Sequence, residues 1–309
     1  MKTFKEFFKR FPNERTCLKH LVEARLRQGI QCKNCGNTVN LWIEAQKVFK
    51  CSHCSSKVSY KSGTIMHKSK LPLLDWYTAI FLMTSTKKSF SSYELQRQLG
   101  RKRYEPVFRM MHKIRTAMGQ SGDQLILEDQ IELDDSLFLV VKKKKKQGRY
   151  KPGRGSEKRI SVMVLAESKY SGNRSNRPVK HSCGHFKMKV LREFNHRNIN
   201  SILDRIVDKS SSILSDGHSV YKHVHRIIPD HDFRKIPPKE QSKVLPWVHI
   251  AISNAKRLIQ GVFHRVDDDF LQSYLDEYVF KLNGRNNENL FHDLLDWSYC
   301  NRWNRFMLG

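Results

Sequence analysis

Two pairs of cysteines, each with two residues between its members, stand near the start of the chain. They are Cys32 with Cys35 and Cys51 with Cys54, and fifteen residues separate the pairs. Two residues between thiolates let one tight turn present both sulfurs to a tetrahedral ion, and this spacing is typical of zinc sites built from four cysteines. Four protein ligands leave no coordination position for water, so the pattern predicts a structural Zn²⁺.

The residues around these pairs predict a small ribbon. Residues 39–43 and 47–50 have the pattern of a short hairpin between the two turns. A redox-active cysteine pair would need a single pair in a thioredoxin-like setting, which the sequence lacks. Cys17, Cys183 and Cys300 are isolated and are typical of small buried hydrophobic residues. Whether such a ribbon binds DNA or braces a neighbouring segment stays open.

Two aspartates form a second candidate site. Asp134 lies inside an apolar strand at 130–141, and Asp216 ends a short strand that begins at Ser211. Adjacent strands would bring both carboxylates to one edge of a sheet, where they could hold hard divalent cations. Two such ions about 3.5–4 Å apart activate water or a 3′-hydroxyl for in-line attack on a phosphodiester. The residues alone also allow Asp134 or Asp135 to face solvent and Asp216 to cap a turn.

The charge balance indicates the class of partner. Lysine and arginine number 57 against 30 acidic residues, a formal net charge of +27. A globular chain this basic is typical of proteins that bind a polyanion, because each phosphate contact releases counterions. No apolar run reaches the ~20 residues of a membrane span, and the N-terminus has no signal-peptide core. We therefore expect a cytoplasmic, nucleoid-associated protein.

The elements that must position these residues change in type along the chain. Helical patterns at 75–83, 89–100 and 104–118 predict either a helix-turn-helix or a three-helix bundle with a basic outer face. From about residue 125 the pattern becomes extended, with further strands at 159–167 and 186–194 and a helix at 198–209. This order predicts a mixed α/β sheet.

Taken together, the motifs resemble those of the zinc-ribbon transposases of bacterial insertion sequences, in the DDE or RNase H-like superfamily. They occur in the family's order between about residues 4 and 285: Phe11-Pro12, both cysteine pairs, Ser62–Met66, Lys70–Pro72, Trp76, Leu95–Gly100, Ile131–Asp134, Ser215–Gly217, Leu275–Tyr278 and Asn283. The resemblance implies a cut-and-paste enzyme that uses two Mg²⁺ or Mn²⁺ ions. Its partners would be the element's terminal inverted repeats, target DNA, and further copies of itself in a homodimer or larger assembly.

The same resemblance implies four segments. They are a zinc ribbon at 1–70, a helix-turn-helix-like DNA-binding domain at 71–122, an RNase H-like catalytic domain with a mixed sheet and flanking helices at 125–285, and a C-terminal tail helix at 286–309.

Carried over position by position, the resemblance implies Asp134 and Asp216 as the first two catalytic, magnesium-binding residues, with Asp135 a non-ligand neighbour. The family commonly has a glutamate before a Lys-Arg pair, and alignment on that pair puts His249 there. Asn254 could instead supply a neutral oxygen ligand, and Lys256 could hold phosphate. The basic residues expected to contact DNA are Lys142, Lys143, Lys144, Lys145, Lys146, Arg101, Arg103 and Arg257.

Two departures from the family pattern support a rival interpretation. The third carboxylate is missing, and Val140-Val141 occupies the place where members commonly have a glycine pair. The chain could then be a catalytically inactive, transposase-derived DNA-binding protein or regulator. A zinc-ribbon subunit of a transcription complex would explain the cysteines but not residues 130–285.

Overall fold

The computed structural model describes residues 1, 3–141, 159–171, 180–237 and 239–300. The chain divides into two compact units. One consists of Met1–Ser121 with the described residues of Asn286–Met307, and the other consists of Gly122–Arg285. Within the described residues, no helix has both the length and the apolar character that crossing a bilayer requires.

The first unit contains a three-stranded antiparallel ribbon in the order β1-β2-β3. Its strands are β1 (Asn40–Ile43), β2 (Val48–Cys51) and β3 (Lys57–Ser59). The predicted hairpin corresponds to β1 and β2, whereas β3 was not predicted because its three residues contain a single apolar side chain, that of Val58. Phe49 of β2 is fully buried and packs in a small core with Val22 and Ile30.

Helices make up the rest of this unit. They are α1 (Phe4–Arg10), α2 (Glu14–Gln28), α3 (Leu73–Ser85), α4 (Ser92–Gln98), α5 (Tyr104–Asp123) and α10 (Leu290–Cys300). Ser91 caps α4 by accepting a hydrogen bond from the N–H of Glu94 at 3.1 Å. Gly100 adopts a left-handed backbone with φ of 61° just after α4, where a side chain would be strained. The helical region between the ribbon and the sheet is thus confirmed, and its assignment as a helix-turn-helix remains a prediction.

Helix α10 packs against helices near the beginning of the chain. It contacts α2 and α3. Its Phe291 is 2% exposed, and the ring centroid lies 6.0 Å from that of Phe7. The hydroxyls of Tyr299 and Tyr77 are 2.5 Å apart in the same buried core. Residues 290–300 are therefore part of the first unit's core.

The second unit is built on a five-stranded sheet in the order β6-β5-β4-β7-β8. The strands are β4 (Gln130–Leu139), β5 (Arg159–Ser171), β6 (Lys180–Leu191), β7 (Ser212–Ser215) and β8 (Asp230–Phe233). The first three are antiparallel neighbours, while β7 runs parallel to β4 and β8 parallel to β7. This order and polarity confirm the predicted RNase H-like sheet. β6 begins at Lys180 and ends at Leu191 rather than spanning 186–194, because pairing with β5 extends it beyond its apolar stretch.

Helices cover both faces of the sheet. On one face, α6 (His196–Ile206) packs on Ile131 and Leu133 of β4. The predicted helix at 198–209 thus begins and ends a few residues earlier. On the other face, α8 (Pro246–Leu258) and α9 (Leu271–Asn283) pack on Phe138, with the short α7 (Gln241–Val244) preceding them. Because side chains alternate along a strand, Glu132 and Asp134 share the face that α8 covers.

Candidate metal centres and active site

The four predicted zinc ligands converge in the ribbon. Their sulfurs all lie within 4.8 Å of one another. The Sγ atoms of Cys32 and Cys54 are 3.5 Å apart, and those of Cys35 and Cys51 are 3.6 Å apart. Tetrahedral ligands about 2.3 Å from one ion would be roughly 3.8 Å apart, so the cluster has the size that Zn²⁺ requires.

The two cysteine turns share one backbone geometry. The residue after each pair has a left-handed backbone, with φ of 75° at Gly36 and 59° at Ser55. Each donates its N–H to the carbonyl of the first cysteine of its pair, at 2.9 and 3.1 Å. The Oγ of Ser56 lies 3.0 Å from Cys32 Sγ and 3.2 Å from Cys54 Sγ. Hydrogen bonding to Ser56 lowers the pKa of Cys54 to about 5, which favours the thiolate that binds metal.

Asp134 lies on β4, and Asp216 directly follows β7, the parallel strand beside it. Leu133 of β4 pairs with Ser215 of β7, so the next residue of each strand, Asp134 and Asp216, falls at the same edge of the sheet. The Asp134 side chain is 13% exposed. Burial raises its pKa to about 7, the N–H of Asp135 lowers the pKa, and the Asp216 carboxylate raises it further. Two carboxylates this close repel each other unless a cation lies between them.

Helix α8 brings a histidine to this pair. Nε2 of His249 lies 3.6 Å from Oδ2 of Asp134. This nitrogen is buried and makes no hydrogen bond among the described residues. Lys256 lies seven residues later on the same helical face. Burial lowers the pKa of Lys256, and the Asp134 carboxylate acts in the opposite direction. Its Nζ is 5.6 Å from the centre of the Phe138 ring.

Asn254 projects from a different side of α8. Its Oδ1 accepts a hydrogen bond from Nη2 of Arg257 at 2.9 Å. Its side chain also hydrogen-bonds to Tyr278 of α9, and burial raises the pKa of that tyrosine to about 12. Of the candidates for the third group, the structure therefore brings His249 and Lys256 to Asp134, and places Asn254 beside α9.

Two contacts of β4 were not predicted from the sequence. The Tyr221 hydroxyl donates a hydrogen bond to Oδ1 of Asp135 at 2.9 Å, which ties the segment after Asp216 to β4. Oε2 of Glu132 accepts hydrogen bonds from the N–H groups of Trp247 and Val248 at 2.8 and 3.0 Å. The available signal was a carboxylate inside an apolar strand, which is costly to bury without partners.

The predicted DNA-binding residues lie in different settings. Lys142–Lys146 lie outside the described residues. Arg103 and Arg257 are exposed. Arg101 instead makes a two-pronged ion pair with Asp75 of α3: its Nε lies 2.7 Å from Oδ2 and its Nη2 donates to Oδ1 at 2.8 Å. Its guanidinium therefore joins the segment after α4 to α3.

Replacing Arg101 with alanine is expected to lower the free energy of unfolding by about 1–3 kcal/mol. The change leaves the Asp75 carboxylate, whose side chain is 8% exposed, without its cation. The 39% exposure of Arg101 keeps the effect below that of a fully buried pair. Urea unfolding followed by circular dichroism measures it, with the exposed Arg103→Ala as the matched control at about 0.5 kcal/mol or less. Equal stability of R101A and wild type would contradict the structural role.

Comparison with known proteins identifies two matching families. Residues 12–57 match the family described as transposase zinc-ribbon domain, and residues 126–283 match the family described as ISXO2-like transposase domain. The chain is 25% identical over 186 residues to an uncharacterized protein in transposable element ISH50 of Halobacterium salinarum. That match covers 56% of this chain and 60% of the relative. This relative is archaeal, and the bacterial origin remains a prediction.

A solved structure is also similar, at a low level. It is the crystal structure of a pre-cleavage Mos1 transpososome, with 12% sequence identity and a TM-score of 0.29. The alignment covers 95% of this chain and 100% of that one. A TM-score this low carries no weight for the fold, which rests on the strand order described above.

Proposed function

Because the chain belongs to the family of ISXO2-like transposases, we propose that it cuts DNA at the terminal inverted repeats of an insertion sequence and joins the cut ends to target DNA. The observation that carries this proposal is the adjacency of Asp134 and Asp216 at one edge of an RNase H-like sheet. Paired carboxylates on neighbouring strands are the arrangement that two-metal phosphodiester chemistry needs.

The donor atoms are of the kinds that a divalent cation binds. Asp134 and Asp216 would supply carboxylate oxygens, and His249 would supply Nε2, which has no other hydrogen-bond partner among the described residues. Two ligands of one cation lie roughly 3 Å apart, close to the 3.6 Å between Nε2 and Asp134 Oδ2. When bound, Mg²⁺ or Mn²⁺ supplies activation of water or a 3′-hydroxyl and stabilises the leaving oxygen. Lys256 adds a positive charge that would hold a DNA phosphate at the same edge.

Other parts of the chain would also bind DNA. We assign the recognition of end sequences to the zinc ribbon and to α4 and α5, and backbone contacts to Lys142–Lys146, Arg103 and Arg257. Phosphate contacts of this kind position the duplex without reading its sequence. We further propose that the protein works on DNA as a homodimer or larger assembly.

The proposal is tested by comparing His249→Ala with Asn254→Ala. We expect H249A to lower the single-turnover rate of strand cleavage roughly 100-fold, a loss of about 2.7 kcal/mol of transition-state stabilisation. N254A should stay within about threefold of wild type, because Asn254 faces α9. The assay uses Mn²⁺ or Mg²⁺ with duplexes taken from the DNA that flanks the gene, and scrambled duplexes as controls. If N254A instead loses about 100-fold in rate and H249A stays within about threefold of wild type, Asn254 rather than His249 is the third catalytic group.

One observation favours the rival function of an inactive, DNA-binding derivative. The position that aligns with the family's glutamate carries a histidine, so the site has two carboxylates rather than three. The rival predicts duplex binding that weakens steeply with salt, and no nicking with either metal. Nicking by the wild type that disappears on chelation would exclude it.

A further inference from the structure

Glu132 is a buried carboxylate outside the proposed metal-binding set. It lies on β4 two residues before Asp134, is 4% exposed, and faces α8. Burial raises its pKa to about 7, and the N–H groups of Val248 and Trp247 act in the opposite direction. A carboxylate in such a place needs a structural reason, because its desolvation is costly.

The reason lies at the first turn of α8. The first N–H groups of any helix have no partner inside the helix. In α8, the N-cap residue Leu245 offers no side-chain cap, and Pro246 has no N–H to satisfy. The N–H groups of Trp247 and Val248 both donate to Oε2 of Glu132, at 2.8 and 3.0 Å. The cap of this helix is thus supplied by the strand that carries Asp134, 115 residues earlier in the chain.

This contact fixes α8 next to the residue that the active site uses. His249 directly follows Val248, and its ring reaches Asp134, the second residue after Glu132. β4 and α8 therefore approach each other at two neighbouring points: Glu132 meets the first turn of α8, and Asp134 meets His249. Of these two polar contacts, only that of Glu132 has hydrogen-bond length, because His249 Nε2 lies 3.6 Å from Asp134 Oδ2 and makes no hydrogen bond among the described residues.

We propose that Glu132 is a positioning residue, which sets the distance between His249 and Asp134 by capping α8 from the central strand. The proposal rests on the proposed function of the Asp134 and Asp216 site. Displacing a catalytic group by about 1 Å costs on the order of 100-fold in rate, so the cap controls catalysis without touching DNA or metal.

The test compares three substitutions at Glu132. Glu132→Ala and Glu132→Leu remove the acceptor, and we expect the single-turnover cleavage rate to fall about 100-fold while the Kd for duplex DNA changes less than threefold. Glu132→Gln keeps an oxygen that can accept both N–H bonds, and should retain at least a fifth of the wild-type rate. Full activity of E132A would overturn the proposal. Equal inactivity of E132Q and E132A would also overturn it, because negative charge rather than the acceptor would then matter.

Glu167 provides a matched control for loss of stability. It is also buried in the sheet, and its carboxylate accepts the N–H groups of Glu128 and His185 at 3.0 and 2.8 Å. We expect Glu167→Ala to lower the melting temperature without lowering the cleavage rate of the molecules that remain folded. If E167A loses as much cleavage rate as E132A, Glu132 acts only through general stability and not by positioning His249.

Amide hydrogen exchange separates this proposal from the proposed function. Exchange at Trp247 and Val248 should accelerate at least tenfold in E132A and return towards wild type in E132Q, whether or not the protein cleaves DNA. If the wild type fails to cleave but these amides respond, the proposed function fails and the cap stands. If the amides do not respond, the cap fails.

Discussion

Asp216→Ala is expected to abolish metal-dependent cleavage, lowering the single-turnover rate by roughly a thousandfold or more. The substitution removes a ligand from a site where metal ions contribute several kcal/mol of charge stabilisation, and each 1.36 kcal/mol is tenfold in rate. Asp134→Asn should have an effect of the same size, since the two carboxylates lie on adjacent strands. Quenched-flow cleavage of an end-sequence duplex with saturating Mn²⁺ measures both.

Two controls separate lost chemistry from lost folding. The substitutions relieve repulsion between neighbouring carboxylates, while Asp216→Ala also removes the acceptor of the His218 N–H, so the metal-free variants should melt close to the wild type. Asp230 begins β8 beside β7 and is exposed, so Asp230→Ala should cleave within about twofold of the wild type. Cleavage by D216A at the wild-type rate would refute the assignment of this site.

Cys54→Ser is expected to eliminate the bound zinc and unfold the ribbon. Structural zinc in small domains contributes about 10–16 kcal/mol of binding free energy, which here is folding free energy of the ribbon. We expect the metal content to fall from about one zinc per chain to nearly none, and binding to end-sequence duplexes to weaken at least tenfold. Inductively coupled plasma mass spectrometry and fluorescence anisotropy measure the two effects.

Cys183→Ser is the matched control for this change. Cys183 lies on β6, and burial raises its pKa to about 12, so it is a neutral thiol rather than a metal-binding thiolate. Its replacement should leave the zinc content unchanged. Full zinc content in C54S would show that the four sulfurs do not act as one site.

The zinc cluster could be predicted from the sequence because its geometry is local. Each pair of cysteines lies within one tight turn, and a single short hairpin brings the two turns together. The spacing therefore contains nearly all the information that the four sulfurs require. β3 was missed because its position depends on pairing with β2 and not on its own composition.

The carboxylate site depends on contacts that spacing does not encode. Asp134 and Asp216 become neighbours only because β7 inserts beside β4 in parallel register. The sequence left open whether each aspartate faced solvent, since strand order is a property of the whole sheet. Which side chains of α8 lie near Asp134 was easier to predict from the sequence. His249 and Lys256 are seven residues apart and share a helical face, whereas Asn254 does not.

Glu132 illustrates the limit of sequence reasoning at this site. A glutamate in an apolar strand signals that something unusual surrounds it, but its partners are backbone N–H groups and leave no trace in the sequence. The same holds for the Tyr221 contact with Asp135, which joins residues 86 positions apart.

The place of α10 in the first unit also sets an order of events during synthesis. Phe7 and Tyr77 leave the ribosome early, but Phe291 and Tyr299, which pack against them, follow only after residues 122–285 have been translated. At about 5–20 residues per second, the delay between Tyr77 and Tyr299 is roughly 10–45 s. The sheet can form while the chain is still attached, whereas the unit with the ribbon waits for α10. We expect the apolar surface that α10 covers to stay exposed during this delay, which would make the nascent chain more prone to aggregation.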